Sequence, residues 1–310
     1  MKYLEPFVDA LITNVGDREV PDKLDVVLEG GALNSAYQAG ALCYLRALEK
    51  AGKTEIKRIS GVSCGALVGA VFLALDLDSL EEFYNRLINS LLSVGSFSSL
   101  QSCADDFVSR VDDAKVKSLS GRLFVSYVDL ETQKRVVVSE YNSKQELADI
   151  LVKSSFLPGF IDGRMTTADN CIDGGVPYIF PNDSEKRRDP SYKTLYLKLT
   201  SLSIFKNAIS TRGELNMARR AIEGIQKTHD LLKQRKANEI ASIVEDWSQV
   251  DIIKFTLMSL VWWLVSYSVY VLTWLYDDCV PSCVKEHKAT LRAKSLCGEM
   301  WSDYICRMLN

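Results

Sequence analysis

The chain has 310 residues, a formal net charge of -3 and 47% hydrophobic residues. That length accommodates one α/β domain with a sizeable core plus an appendage, and the near-balanced charge lacks the basic footprint of a nucleic-acid binder, so no nucleic acid is expected as a partner. There is no repeat or low-complexity tract. Glu5, Asp9, Asp17, Arg18 and Glu19 interrupt any apolar run near the N-terminus, so a secretory signal peptide is not expected and the main domain is expected in the cytosol.

Tyr3 to Val15 has the pattern of a short amphipathic helix. Leu24 to Leu28 is an apolar run too short for a helix and closed by Glu29-Gly30-Gly31, which predicts a buried parallel strand and a sharp turn. Paired glycines bring backbone N–H groups close to a ligand with no Cβ in the way. Leu42, Leu45 and Leu48 give one buried face to a helix from Ala36 to Ala51. A second strand, Ile56 to Ser60, runs into Gly61-Val62-Ser63-Cys64-Gly65 and an apolar helix from Ala66 to Leu75. Asp78 to Asp113 reads as a pair of surface helices broken near Ser96, with a cover over the site as the alternative. Leu123 to Val128 and Arg135 to Ser139 read as strands joined by a polar turn. Ser143 and Glu146 form a capping-box pattern that starts a helix to about Ser154. Leu195 to Leu199 is a further strand, and Arg212 to Ile243 has the composition of a long charged helix carrying His229 on its solvent side.

The pentad at Gly61 to Gly65 is G-x-S-x-G, which places a serine at a tight strand-to-helix turn where larger neighbours would clash. The following helix aims its positive end at Ser63, and the Cys64 N–H adds a donor for negative charge developing beside the serine. The Cys64 side chain is expected to point away from substrate, and Cys43, Cys103 and Cys171 to be buried thiols. No clustered ligand set suggests a metal, and the chemistry needs no cofactor.

About 110 residues after the serine stands Ile172-Asp173-Gly174-Gly175-Val176, followed by Pro177 and Pro181. With this element the chain resembles the patatin-like phospholipase family, through EGGALNSAYQAG (Glu29 to Gly40), ISGVSCGALVGA (Ile59 to Ala70) and CIDGGVPYIFP (Cys171 to Pro181). Ser154 to Phe160 resembles the family's segment before the aspartate, and the resemblance covers roughly Leu24 to Thr200. It implies an α/β fold with a mainly parallel central sheet between helices on both faces. It also implies a dyad of nucleophile Ser63 and base Asp173, and an oxyanion turn at Gly30, Gly31 and Ala32. The family usually has glycine at the position of Ala32, arginine at that of Asn34 and a small glycine-like residue at that of Ser35. The Ala32 N–H survives as a donor if φ stays negative, and Asn34→Arg is expected to raise turnover on anionic phospholipids. The implied reaction is hydrolysis of glycerolipid acyl esters. One rival is a weak or inactive membrane scaffold, motivated by Ala32, Asn34 and Ser35. Another is a Ser63, Asp173, His229 triad, since that order is the one an α/β-hydrolase uses.

Phe255 to Tyr276 carries no charge, and about 22 residues at about 1.5 Å each reach about 33 Å, enough to cross a bilayer core. It is expected to span or insert into the membrane, so that lipid serves as both anchor and substrate, with a core helix as the alternative. The expected division is an N-terminal extension (1–23), a catalytic domain (24–250), the membrane segment (251–276) and a cysteine-containing tail (277–310). All three motifs precede Ile252, so truncation there is expected to leave a closed, soluble catalytic core. The tail holds Cys279, Cys283, Cys297 and Cys306; disulfides, or acylation of Cys279 and Cys283 beside the membrane, suit it better than a zinc site of Cys279, Cys283, His287 and Cys297, with free cysteines as the alternative.

Overall fold

The computed structural model describes residues 1–16, 19–94, 96–199, 217–281 and 300. The central strand is β1 (Lys23–Leu28), which pairs in parallel with β2 (Glu55–Val62) on one side and β6 (Tyr192–Leu197) on the other. Beyond β2 lies β3 (Leu123–Asp129), also parallel. Two antiparallel strands close the edges, β4 (Lys134–Val138) on β3 and β7 (Ala241–Ile243) on β6. The sheet order is β4-β3-β2-β1-β6-β7, and a short β5 (Cys171–Asp173) pairs antiparallel with β3 off this path. The mainly parallel α/β expectation holds, and β1 is buried on both sides because both faces are covered, with Asp25 its one buried charge.

The two faces are covered unequally. Leu24, Val26 and Leu28 join the main core, together with α1 (Glu5–Ile12), α2 (Ser35–Lys50), α3 (Cys64–Ala74), α4 (Asp78–Val94) and α5 (Leu100–Ser109). A six-residue α6 (Asp113–Ser118) then leads into β3. The next helix, α7 (Lys144–Ser154), is capped by the Ser143 side chain as its sequence predicts. Val27, on the opposite face of β1, packs with Phe180, Tyr196, Trp247 and Phe255. Below that aromatic patch, buried Asp25 receives two bonds from Arg58 at 2.9 and 2.7 Å, one from the Tyr192 hydroxyl at 2.8 Å and the Lys186 ammonium at 2.7 Å. Lys186 comes from α8 (Ser184–Arg188), so this network ties the thinner layer to the sheet.

Three expectations about helices change. The long charged helix is shorter: α9 (Ala218–Gln234) stops at Arg235, which turns left-handed at φ 51°, and the chain returns as β7. Its predicted start at Arg212 lies outside the described residues. His229 does not face solvent, because α9 lies so close on α2 that a Cβ at Gly224 would meet the Tyr37 carbonyl at 1.9 Å. That approach buries His229, whose Nδ1 is 2.9 Å from the Tyr44 hydroxyl. Finally, α4 and α5 are not a plain surface pair, since Leu80, Phe83, Tyr84 and Leu100 are buried in the core.

The apolar segment forms α10 (Gln249–Trp274), started by a capping box between Ser248 and Asp251. Most of it is exposed, including Leu257, Leu260, Val261, Trp263 and Leu264. It is not detached from the domain. Phe255 packs edge-on to Tyr196, while Trp262 and Val269 pack with Val128, Leu130 and Ile172. Cys279 follows as an exposed free thiol, whereas Cys283, His287, Cys297 and Cys306 lie outside the described residues.

Candidate active site

The register of β3 brings the two motif residues together. Val62, the last residue of β2, pairs with Ser126, and at the next position Tyr127 pairs with Asp173 of β5. Because β4 occupies the other edge of β3 along this stretch, β5 takes over the edge that β2 leaves. Asp173 thus arrives beside Ser63, about 110 residues away in sequence.

Ser63 stands between β2 and α3 with φ 56° and ψ -135°, a conformation that non-glycine residues hold only under constraint from their surroundings. Those constraints are visible. Its N–H donates to Ser154, whose hydroxyl donates in turn to the Ser126 carbonyl at 2.7 Å. Gly30 passes so close that a Cβ there would lie 2.9 Å from the Ser63 Cβ. Two residues beyond Ser154, the Phe156 carbonyl accepts the Asp173 N–H at 2.9 Å. The end of α7 and the loop that follows it therefore hold both residues.

Asp173 is buried, and burial pushes its carboxyl up to about 6. The Ser63 hydroxyl and the Gly175 N–H, which donates to Oδ1 at 2.7 Å, pull it back toward ionisation. Among the described residues, Oδ2 has no hydrogen bond of ordinary length and angle. The Ser63 contact is thus loose, as catalytic pairs often are before substrate arrives. A carboxylate titrating near 6 can take a proton from an attacking hydroxyl at neutral pH and return it to a leaving group. His229 sits against Tyr44 of α2, and its imidazole is held below the usual range by burial.

Across from the pair, backbone N–H groups of Gly31, Ala32 and Gly65 point toward the Cys64 sulfur. Burial drives that thiol up to about 12, so it stays protonated. Contrary to expectation, Cys64 does not turn away from the site: it lines an apolar cavity of about 50 Å³ with Ser63, Ala32, Leu67, Phe97 and Leu157. A second cavity of about 40 Å³ shares Cys64, Leu67, Tyr84 and Leu87 and continues toward Phe107, so α4 and α5 roof the site. Ala32 also departs from expectation, with φ at 48°. It keeps the left-handed conformation that a glycine would adopt freely, at a cost of about 1–2 kcal/mol.

Two residues near the site carry no motif. Arg220 of α9 is buried and donates from Nη1 to Asn34 Oδ1 at 3.1 Å. A guanidinium therefore lies against Asn34, the position where the resemblance leads one to expect an arginine. Trp262 of α10 donates from its indole nitrogen to the Asp173 carbonyl at 2.9 Å. The sequence signal for Arg220 is a basic residue among the buried positions of an amphipathic helix; for Trp262 it is a residue with an N–H donor inside an otherwise apolar run.

A profile described as Patatin-like phospholipase matches residues 26–181. The omega-hydroxyceramide transacylase of Mus musculus is 30% identical over 180 residues, which are 54% of this chain and 29% of that protein. The omega-hydroxyceramide transacylase of Homo sapiens is 32% identical over 154 residues, 46% of this chain and 28% of that protein. The chain thus spans under a third of the length of these relatives. Among solved structures, the ExoU–SpcU complex of Pseudomonas aeruginosa matches at 15% identity and TM-score 0.43, covering 92% of this chain and 66% of the other. VipD from Legionella pneumophila matches at 15% identity and TM-score 0.36, covering 56% and 49%. With its serine elbow, its Asp-Gly-Gly and the glycine turn before them all inside the matched span, the chain belongs to the patatin-like phospholipase family.

Proposed function

We propose that the chain transfers acyl groups from lipid esters through a Ser63–Asp173 dyad. The observation that carries this reading is the handover from β2 to β5 along β3, which sets a buried carboxylate beside a strained serine. Ser63 Oγ attacks the acyl carbonyl while its proton passes to Asp173. The oxyanion takes N–H donors from Gly31 and Ala32, with Cys64 N–H at the start of α3, and thiol sulfur is a weak enough acceptor to give them up. Asp173 then protonates the departing alcohol. Water activated by the same carboxylate releases the fatty acid and restores the serine.

The acyl-enzyme has a second exit. The names of the curated relatives describe transacylases, so a hydroxyl-bearing lipid in place of water is the second reading. The left-handed turn kept at Ala32 and the Arg220 cation beside Asn34 favour an active site over the scaffold alternative. The His229 contact with Tyr44 favours the dyad over the triad alternative. The packed face of α10 runs from Phe255 to Val269, about 21 Å of helix. This supports insertion into lipid alongside the domain over a free-standing span, since a span would carry the Asp173 turn into the hydrocarbon.

A panel of phospholipids and neutral glycerolipids, with and without a long-chain alcohol acceptor, tests the reaction. Fatty acid release that Ser63→Ala abolishes is the expected result, and ester formation on the alcohol would assign transacylation. No serine-dependent product from any lipid would overturn the proposal.

A further inference from the structure

We infer that Trp262 is a positioning residue for Asp173, so that the apolar helix is a working part of the active site as well as an anchor. The inference rests on the reading of Asp173 as the base. Three observations carry it. The indole N–H donates to the Asp173 backbone carbonyl at 2.9 Å, from a residue 89 positions further along the chain. The indole ring also lies over Gly175, where a Cβ would come within 2.1 Å of ring carbons. Gly175 is the residue whose N–H holds the Asp173 carboxylate at 2.7 Å, and it does so at φ 66°. Trp262 thus grips the Asp-Gly-Gly turn at both ends, by a hydrogen bond on the aspartate and by contact with the second glycine.

The rest of the helix gives the contact its stiffness. Val269, two turns on, packs with Val128, Leu130 and Ile172 on the strands that bear the turn. Buried Ser266 donates to the Trp262 carbonyl at 2.8 Å and lies on the same face. One residue away, Trp263 faces outward and stacks on Tyr267. The ring over the turn also keeps water from the side of the carboxylate that Gly175 lines, in keeping with burial as the main cause of its raised titration. Leu260, Val261 and Leu264, which flank Trp262 on the same helix, are exposed. What they sink into therefore bears on the turn that carries the base.

The test uses the full-length chain in detergent, with Trp262→Phe, Trp262→Ala and, as the outward-facing control, Trp263→Ala. The first readout needs no turnover: carbon NMR titration of aspartate carboxyls, with the Asp173 signal assigned by Asp173→Asn. Trp262→Ala is expected to lower the Asp173 midpoint by about one pH unit or more, because water reaches the turn. Trp262→Phe keeps the ring over Gly175 and should keep the raised midpoint. The second readout is hydrolysis of a short soluble ester, normalised to sites labelled by a fluorophosphonate. Trp262→Ala should lower kcat about ten- to a hundred-fold with KM within about two-fold, since a misplaced catalytic group costs rate more than binding. Trp262→Phe should fall between wild type and Trp262→Ala, and Trp263→Ala should match wild type. An unmoved Asp173 titration in Trp262→Ala, with kcat per labelled site unchanged, would overturn the inference. Absence of Ser63-dependent turnover in the wild type would overturn the proposed reaction, while the titration would still decide whether Trp262 governs Asp173.

Discussion

At the scale of single residues, the site places an acid where its charge costs stability. Asp173 titrates near 6 in the fold, above the ordinary carboxylate range. Its neutral form is therefore favoured by folding, and that stability, complete at low pH, is lost as pH rises through about 6. Asp173→Asn should accordingly abolish turnover yet raise unfolding stability at pH 7 by about 1–3 kcal/mol, with the gain vanishing below pH 4, as urea titrations at both pH values would show. Asn34 carries the opposite lesson. Sequence comparison makes an arginine there look restorative, but Asn34 is fully buried and already accepts the Arg220 guanidinium. A second guanidinium in that space should destabilise the fold by about 3 kcal/mol or more and lower turnover. Arg220→Ala should cost activity about ten-fold or more, on the scale of lost oxyanion stabilisation. A gain in kcat for Asn34→Arg would show that Arg220 does not fill the arginine's place. Ser63 stood out through the steric logic of its turn and Asp173 through the resemblance of its Asp-Gly-Gly, and the sheet register brings the two together. Arg220 and Trp262 did not stand out, because their contacts join positions 186 and 89 residues apart, and no local pattern encodes such a meeting.

At the scale of elements, the parallel strands and the two helices around the serine follow from apolar runs and turn residues, and their edges shift by only a few residues. The failures have tertiary causes. In α9 the charged residues suggested a continuous solvated helix, but a left-handed Arg235 ends it, and the Asn238 side chain accepts the N–H groups of Ile240 and Ala241 to start β7. The burial of His229 depends on how closely α9 lies on α2, which periodicity does not report. The expectation for α10 changes most. Truncation before Ile252 removes Phe255 from Tyr196, and Trp262 and Val269 from Ile172. The truncated chain should therefore lose at least about ten-fold in kcat even on a short soluble ester, beyond any loss of lipid binding. Full activity of that truncation would show that the helix serves only as an anchor.

At the scale of the whole molecule, the site opens beneath α4 and α5 on one side and touches α10 on the other, so Ser63 and Asp173 lie between an apolar cavity and an apolar exposed helix. That arrangement suits a substrate drawn from a lipid surface. Replacing outward-facing Leu257 and Leu264 together by Asn should reduce co-flotation of the full-length chain with phospholipid vesicles, while kcat on a short soluble ester stays within about two-fold of wild type. Equal flotation would remove the helix as the lipid contact. The proposed dyad is tested most directly by the rate at which a fluorophosphonate labels Ser63, followed by intact mass between about pH 4.5 and 8. One adduct is expected on Ser63, at a rate that rises through an inflection near pH 6, disappears in Asp173→Asn and persists in His229→Ala. A rate independent of pH, or labelling that survives Asp173→Asn and is lost with His229, would contradict the dyad.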